Sequence, residues 1–187
     1  MPMDNINTDD QLLIQSILHG NDPDKAFTIL VKQYQERLYW HIRRLLVDHE
    51  SANDVLQNIF IKVWKNLQQF RGESSLSTWL YRIATNESIT FLKQLKRRSS
   101  ISLDDDIHLT EQVKADPDFR PDRIEWKLQL GIQGLPEKQR IVFLLRYYDE
   151  MPYHEMSKVL DTSEGALKAS YHHAVKKMEE FVLNHQF

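Results

Sequence analysis

The chain has 187 residues, enough for one domain or two small ones, with 41% hydrophobic residues and a formal net charge of −3. Cysteine is absent, which excludes a disulfide framework, thiol catalysis and thiolate metal sites, and fits a reducing cytoplasm. No apolar run nears membrane-spanning length, and the opening MPMDNINTDD is acidic where a signal peptide is basic and then apolar.

Helical periodicity runs through almost the whole sequence, so the expected fold class is all-α. Asp9 and Asp10 suit a helix N-terminus and Gly20 a stop, giving a short helix over Asp10–His19. Pro23-Asp24 opens a second, in which Phe27, Leu30, Tyr34, Leu38, Ile42 and Leu45 recur at spacings of three and four as far as about Leu46. After the polar break at Asp48–Ser51, a third helix is expected over Ala52–Gln68, with Val55, Leu56, Ile59 and Val63 as its core face. Asp54, Gln57, Ile61 and Trp64 fall on a different face, with Phe60 at its edge. An acid, an amide, an aliphatic and a Trp together suit a protein-binding anchor. The alternative is that Trp64 and Phe60 only seal the core.

Phe70–Arg98, FRGESSLSTWLYRIATNESITFLKQLKRR, is the most distinctive stretch. Its loop holds Arg71, Gly72, Glu73 and Ser74; the glycine permits a tight turn and the serines can cap a helix beginning at Leu76. Leu76, Leu80, Ile83, Ala84, Phe91 and Leu95 lie along one side of that helix, and Trp79, Arg82, Asn86, Lys93 and Arg97 along the other. An aromatic platform, an amide and a row of cations are the groups with which proteins hold single-stranded nucleic acid. The same residues also fit a solvated basic face with one Trp packed at its rim.

Ser99–Asp122 carries Pro117, Pro121, the triplet Asp104–Asp106 and little periodicity, so an unpacked acidic linker is expected. Beyond it come helices over Ile124–Ile132 (closed by Gly134), from Leu135-Pro136 to Tyr148, and from Pro152 to Leu160. After a turn at Asp161-Thr162-Ser163, a last helix runs over Glu164–Val182. Leu167, Tyr171, Ala174, Met178 and Phe181 form its inner stripe, while Gly165, Lys168, Ala169, His172, His173 and Lys176 face out. His154, His172 and His173 give no recognisable ligand spacing, because adjacent helical histidines diverge by about 100°. No metal and no cofactor is expected.

FRGESSLSTWLYRIATN, with DVLQNIFIKVW before it, resembles the promoter-melting region of bacterial RNA polymerase sigma factors, most closely the extracytoplasmic-function group. LPEKQRIVFLLRYYDEMPYHEMSKVLDTSEGALKASYHHAVKKM resembles that group's C-terminal helix-turn-helix. The resemblance implies two helical domains, 1–98 and 123–187, joined by a linker over 99–122. It implies no catalytic activity, a cytoplasmic location without membrane insertion, and core RNA polymerase and promoter DNA as partners; an anti-sigma partner stays open. The third helix, through Asp54, Gln57, Asn58, Ile61 and Trp64, would dock on the polymerase. The loop over about Asn66–Ser75, with Arg71, Gly72, Glu73 and Ser74, would form the pocket for a flipped −10 base, which must offset a few kcal/mol of unstacking. The helix behind it would hold the opened strand through Trp79, Arg82, Asn86, Lys93 and Arg97. The linker would thread the polymerase cleft along the RNA exit path. The last helix would read the −35 duplex with Gly165 and Ala169 allowing close approach and Lys168, His172, His173 and Lys176 reaching bases or phosphates.

The charge pattern suits a subunit of a larger assembly. Arg82, Lys93, Lys96, Arg97 and Arg98 face only Glu87 across their stretch, whereas acids and bases balance from Trp126 onward. Phosphate neutralisation supplies most non-specific affinity, so bare duplex should be bound poorly. Two rival readings are a helix-turn-helix regulator whose first domain senses a ligand, and a helical enzyme or adaptor using the histidines; binding to core polymerase separates them.

Overall fold

The computed structural model describes residues 8–98, 113–115 and 123–184. Among them all regular structure is helical: α1 Thr8–His19, α2 Pro23–Leu46, α3 His49–Asn66, a 3-10 turn Leu67–Gln69, α4 Leu76–Arg98, α5 Ile124–Gln133, α6 Glu137–Tyr147, α7 Tyr153–Leu160 and α8 Glu164–Asn184. None of these helices is long and apolar enough to cross a membrane.

Caps explain several of the boundaries. Asp22 accepts from the Lys25 amide at 3.0 Å and Pro23 occupies the first turn of α2, where a missing N–H costs nothing. Asp48 accepts from the Ser51 amide at 2.7 Å, so α3 starts at His49, three residues before the expected Ala52. Ser75 Oγ accepts from the Thr78 amide at 3.1 Å and sets the start of α4. At the other end of α7, Asp161 takes a left-handed conformation (φ 49°), which allows the sharp entry into α8.

Helices α1–α4 share one core. Leu30, Leu38, Ile42 and Leu45 of α2 meet Val55, Ile59 and Val63 of α3 and Leu76, Leu80 and Ala84 of α4, all buried. Leu56, expected in that core, is only half-buried. The buried cluster continues into α5–α8 through Ile132, Leu144, Met156, Leu167, Ala174 and Met178. Gly131 lets α5 and α8 approach closely: a Cβ there would lie 2.8 Å from the Phe181 ring.

A further face of α4 is covered: Thr78, Tyr81, Thr85 and Ser88 are buried, and α7 packs across α4 while α6 packs on α2. One expectation requires correction. The linker is not an unpacked spacer throughout, since residues 113–115 are helical and Val113 is fully buried. The Asp104–Asp106 triplet lies outside the described residues.

Candidate polymerase and nucleic-acid interfaces

On α3, Asp54, Gln57, Asn58, Ile61 and Trp64 form one exposed surface. Ile61 is 52% and Trp64 42% exposed, unusual for large apolar side chains on a helix that already buries Val55, Ile59 and Val63. Trp64 rests edge-on against Phe27, centroids 4.8 Å apart, which fixes its orientation and leaves much of its ring uncovered. Phe60 does pack against the core, so the sealing role expected as one alternative belongs to Phe60 and only partly to Trp64.

The α3–α4 connection turns at Gly72, whose φ of 70° is the left-handed conformation that favours glycine. Arg71 and Glu73 are 4.0 Å apart with side chains more than three-quarters exposed, a pairing that water screens almost completely. Their side chains therefore stay available to a ligand. The loop and the first turns of α4 border a cleft of about 880 Å³, with Arg71, Glu73, Ser74, Trp79 and Arg82 on its wall. Trp79, expected on the open stripe, is half-buried against Phe70. Arg82, Asn86, Lys93 and Arg97 are exposed along the helix as the periodicity requires. Glu87, the acid among these cations, pairs with Lys62 of α3 at 2.6 Å, which ties α4 to the helix carrying the Trp64 surface.

In the C-terminal domain Gly165, Lys168, Ala169, His172, His173 and Lys176 are all exposed on α8. The Ser163 hydroxyl accepts from the Ala166 amide at 3.4 Å at the start of this helix. Lys168 Nζ is already engaged, 3.5 Å from Glu164 and 5.5 Å from the centre of the Tyr153 ring. The His172 and His173 rings diverge, centroids 6.0 Å apart and tilted by 57°.

Sequence reasoning missed the residues by which one domain meets the other at the cleft. Ser157, Lys158 and Asp161 line it from the C-terminal domain. His41, fully buried, lies between Asp149 and Thr85. Its position three after Leu38 and four before Leu45 places a polar residue on the core stripe of α2, the one clue in the sequence.

Two family models match the chain, Sigma-70 region 2 over residues 30–98 and Sigma-70, region 4 over residues 126–178. The RNA polymerase sigma-H factor of Pseudomonas aeruginosa is 32% identical over 169 residues, covering 86% of each chain. The ECF RNA polymerase sigma-E factor of Escherichia coli strain K12 is 31% identical over 170 residues, covering 86% of this chain and 87% of its own. Among solved structures, CnrH in complex with the cytosolic domain of CnrY superposes with a TM-score of 0.71 at 22% identity, covering 95% of this chain and 99% of its own. The sigma factor RpoE in complex with the anti-sigma factor NepR from Bartonella quintana gives a TM-score of 0.65 at 19% identity, covering 87% of this chain and 99% of its own. The chain belongs to the extracytoplasmic-function group of RNA polymerase sigma factors. It acts with core RNA polymerase on promoter DNA at the initiation of transcription.

Proposed function

We propose a division of labour among three segments: 1–98 binds polymerase and melts the −10 region, 99–122 is the linker that threads the polymerase cleft, and 123–187 reads the −35 duplex. Asp54, Gln57, Asn58, Ile61 and Trp64 are the polymerase-docking surface. Arg71, Gly72, Glu73 and Ser74 form the pocket for an extruded −10 base. Trp79, Arg82, Asn86, Lys93 and Arg97 carry the opened strand, and Gly165, Lys168, Ala169, His172, His173 and Lys176 contact the −35 element. The protein catalyses no reaction of its own and works in the cytoplasm. RpoE was solved with an anti-sigma partner, and a comparable partner is proposed for this chain.

The observation that supports this reading most is the run of exposed Arg82, Asn86, Lys93 and Arg97 leading away from a loop turned by Gly72. A backbone open to close approach, followed by cations and an amide, is what a flipped base and its trailing phosphates require. Permanganate reactivity of −10 thymines tests it. Holoenzyme carrying Trp79→Ala and Asn86→Ala should bind closed promoter normally and fail to open it, and a pre-melted bubble should restore part of the activity. Opening of linear duplex at the wild-type level would overturn the assignment.

A further inference from the structure

We propose that the cleft where the end of α2 and the start of α3 face α5 and α6 binds a purine nucleoside monophosphate, its base on the rings of Trp40 and Trp126 and its phosphate on Arg43 and Arg44. None of the residues assigned above to polymerase or to DNA takes part in this site.

The cleft measures about 930 Å³, within the range of about 300–1,000 Å³ that small-ligand sites occupy. Its walls are aromatic: Tyr39 and Trp40 come from α2, Trp126 from α5 and Tyr148 from the end of α6. Trp40 is 47% exposed, although α2 already buries Leu38, Ile42 and Leu45. Tyr39 meets the Trp40 ring edge-on, centroids 5.3 Å apart, so the ring is held in place while much of it stays uncovered. A held and uncovered Trp is a platform on which a base stacks, and a purine offers it the larger face.

Arg44 supplies the anion-binding group. Among the described residues no carboxylate pairs with it; its guanidinium lies 4.1 Å from the centre of the Tyr148 ring and 5.8 Å from that of Trp40. A guanidinium resting on rings keeps its N–H edge for an acceptor, and a phosphate offers the matching oxygens. Burial raises the Tyr148 hydroxyl above its ordinary value by more than Arg44 lowers it, so Tyr148 stays neutral and leaves the Arg44 charge unmatched. The backbone is fixed as well: Gln133 and Gln129 of α5 donate to the Arg44 carbonyl at 2.7 and 3.2 Å, and Arg140 holds the Gln133 oxygen at 3.0 Å. Val47, also lining the cleft, has a φ of 68°, a left-handed conformation that is costly for a β-branched residue. Strain of this kind gathers at ligand sites. Here it turns the chain from Arg43 and Arg44 to His49, all of which line the cleft.

Two further features narrow the ligand. The Asn53 amide nitrogen can only donate, so its 3.0 Å contact with His49 Nε2 places the ring proton on Nδ1. Nδ1 then donates to the Tyr39 oxygen at 2.6 Å, which leaves the Tyr39 hydroxyl proton for an acceptor such as a ribose or phosphate oxygen. Charge sets the upper limit. Asp48 and Glu125 line the cleft with Arg43 and Arg44, and Asp48 is already committed to the α3 cap, 2.7 Å from the Ser51 amide. A single phosphate is matched there, whereas a triphosphate would bring its outer charges against the two carboxylates.

The test is a titration of the full-length chain with GMP, followed by calorimetry and by the indole N–H signals of its four tryptophans. GMP should bind and shift the Trp40 and Trp126 signals while those of Trp64 and Trp79 stay in place. Trp40→Ala should lower the affinity about tenfold or more, the scale of one lost base stack, and Trp40→Phe should recover part of the loss. Arg44→Lys keeps the charge without the planar fork and should bind roughly tenfold less tightly. GTP should bind more weakly than GMP. Absence of binding at millimolar GMP, shifts at Trp79 in place of Trp40 and Trp126, wild-type affinity in Trp40→Ala, or GTP binding at least as tightly as GMP would each overturn the proposal. Circular dichroism checks each variant. If Arg44→Lys loses helical signal, Trp40→Ala still decides, because its side chain is exposed and its removal leaves the core intact. A response at Trp79 would place the nucleotide on the proposed −10 surface, so the two proposals fail separately.

Discussion

Phe70 and Trp79 meet with ring centroids 5.3 Å apart and planes tilted by 59°, joining the Arg71–Ser74 loop to the first turns of α4. The contact braces the Trp79 ring, so that under the proposed function a base stacking on it would meet a surface already held in place. An aromatic pair of this geometry contributes about 0.5–1.5 kcal/mol beyond its buried area. Phe70→Ala should therefore slow promoter opening by up to about tenfold and leave closed binding intact, as read by stopped-flow fluorescence of a −10 probe. Phe70→Leu should fall between the two.

The α3 surface makes a separable prediction. Because Asp54 and Gln57 are exposed beside Ile61 and Trp64, replacing both with Ala should weaken polymerase binding while circular dichroism stays unchanged. Fluorescence anisotropy with labelled sigma factor measures the first effect. A loss of helix instead would place these residues in the core.

Asp48 couples folding to pH. Burial raises its carboxyl pKa, but the Ser51 hydrogen bonds and then Arg43 and His49 outweigh burial and hold it below the usual carboxylate value. A depressed folded pKa means the contribution is full above the unfolded pKa and is lost as pH falls through the folded one. Asp48→Ala should cost about 0.5–2 kcal/mol at neutral pH. Asp48→Asn should keep most of the cap and remove its share of the acid sensitivity, measured by urea denaturation at neutral and acidic pH.

Tyr34 donates to the buried Asp10 at 3.2 and 3.4 Å, fastening α1 to α2. Tyr34→Phe leaves that carboxylate short of a donor and should cost about 1–3 kcal/mol. Adding Asp10→Ala to it should recover part of the loss, because no buried charge is then left unmatched. Thermal denaturation of the single and double variants checks the sign.

The sequence made α2 legible to the residue, because a Pro-Asp start, a regular apolar stripe and a polar break all agree. The six outward residues of α8 were legible for a related reason: Leu167, Ala174 and Met178 fix the inner stripe and leave the rest outside. The start of α3 was not, since Asp48 and Ser51 are both plausible caps and only the backbone decides between them. The burial of His41, Tyr81 and Thr85 was hidden for a deeper reason. Polar residues read as surface unless their partners are seen, and Asp149 is 108 residues from His41. The same holds for Phe70, whose partner Trp79 looked like a free platform on a helical wheel.

Lys168 stands on the outward face of α8 already matched with Glu164. Contact with a phosphate would exchange one anionic partner for another, and Glu164 would remain beside the new pair. Each phosphate fully neutralised adds about 0.9 to the slope of log affinity against log salt for duplex DNA. A lysine that keeps its own carboxylate nearby displaces less than one condensed cation. If α8 contacts the −35 duplex as proposed, that contact should therefore be less salt-sensitive than its lysines would suggest, and Glu164→Gln should steepen the slope while tightening the complex at low salt.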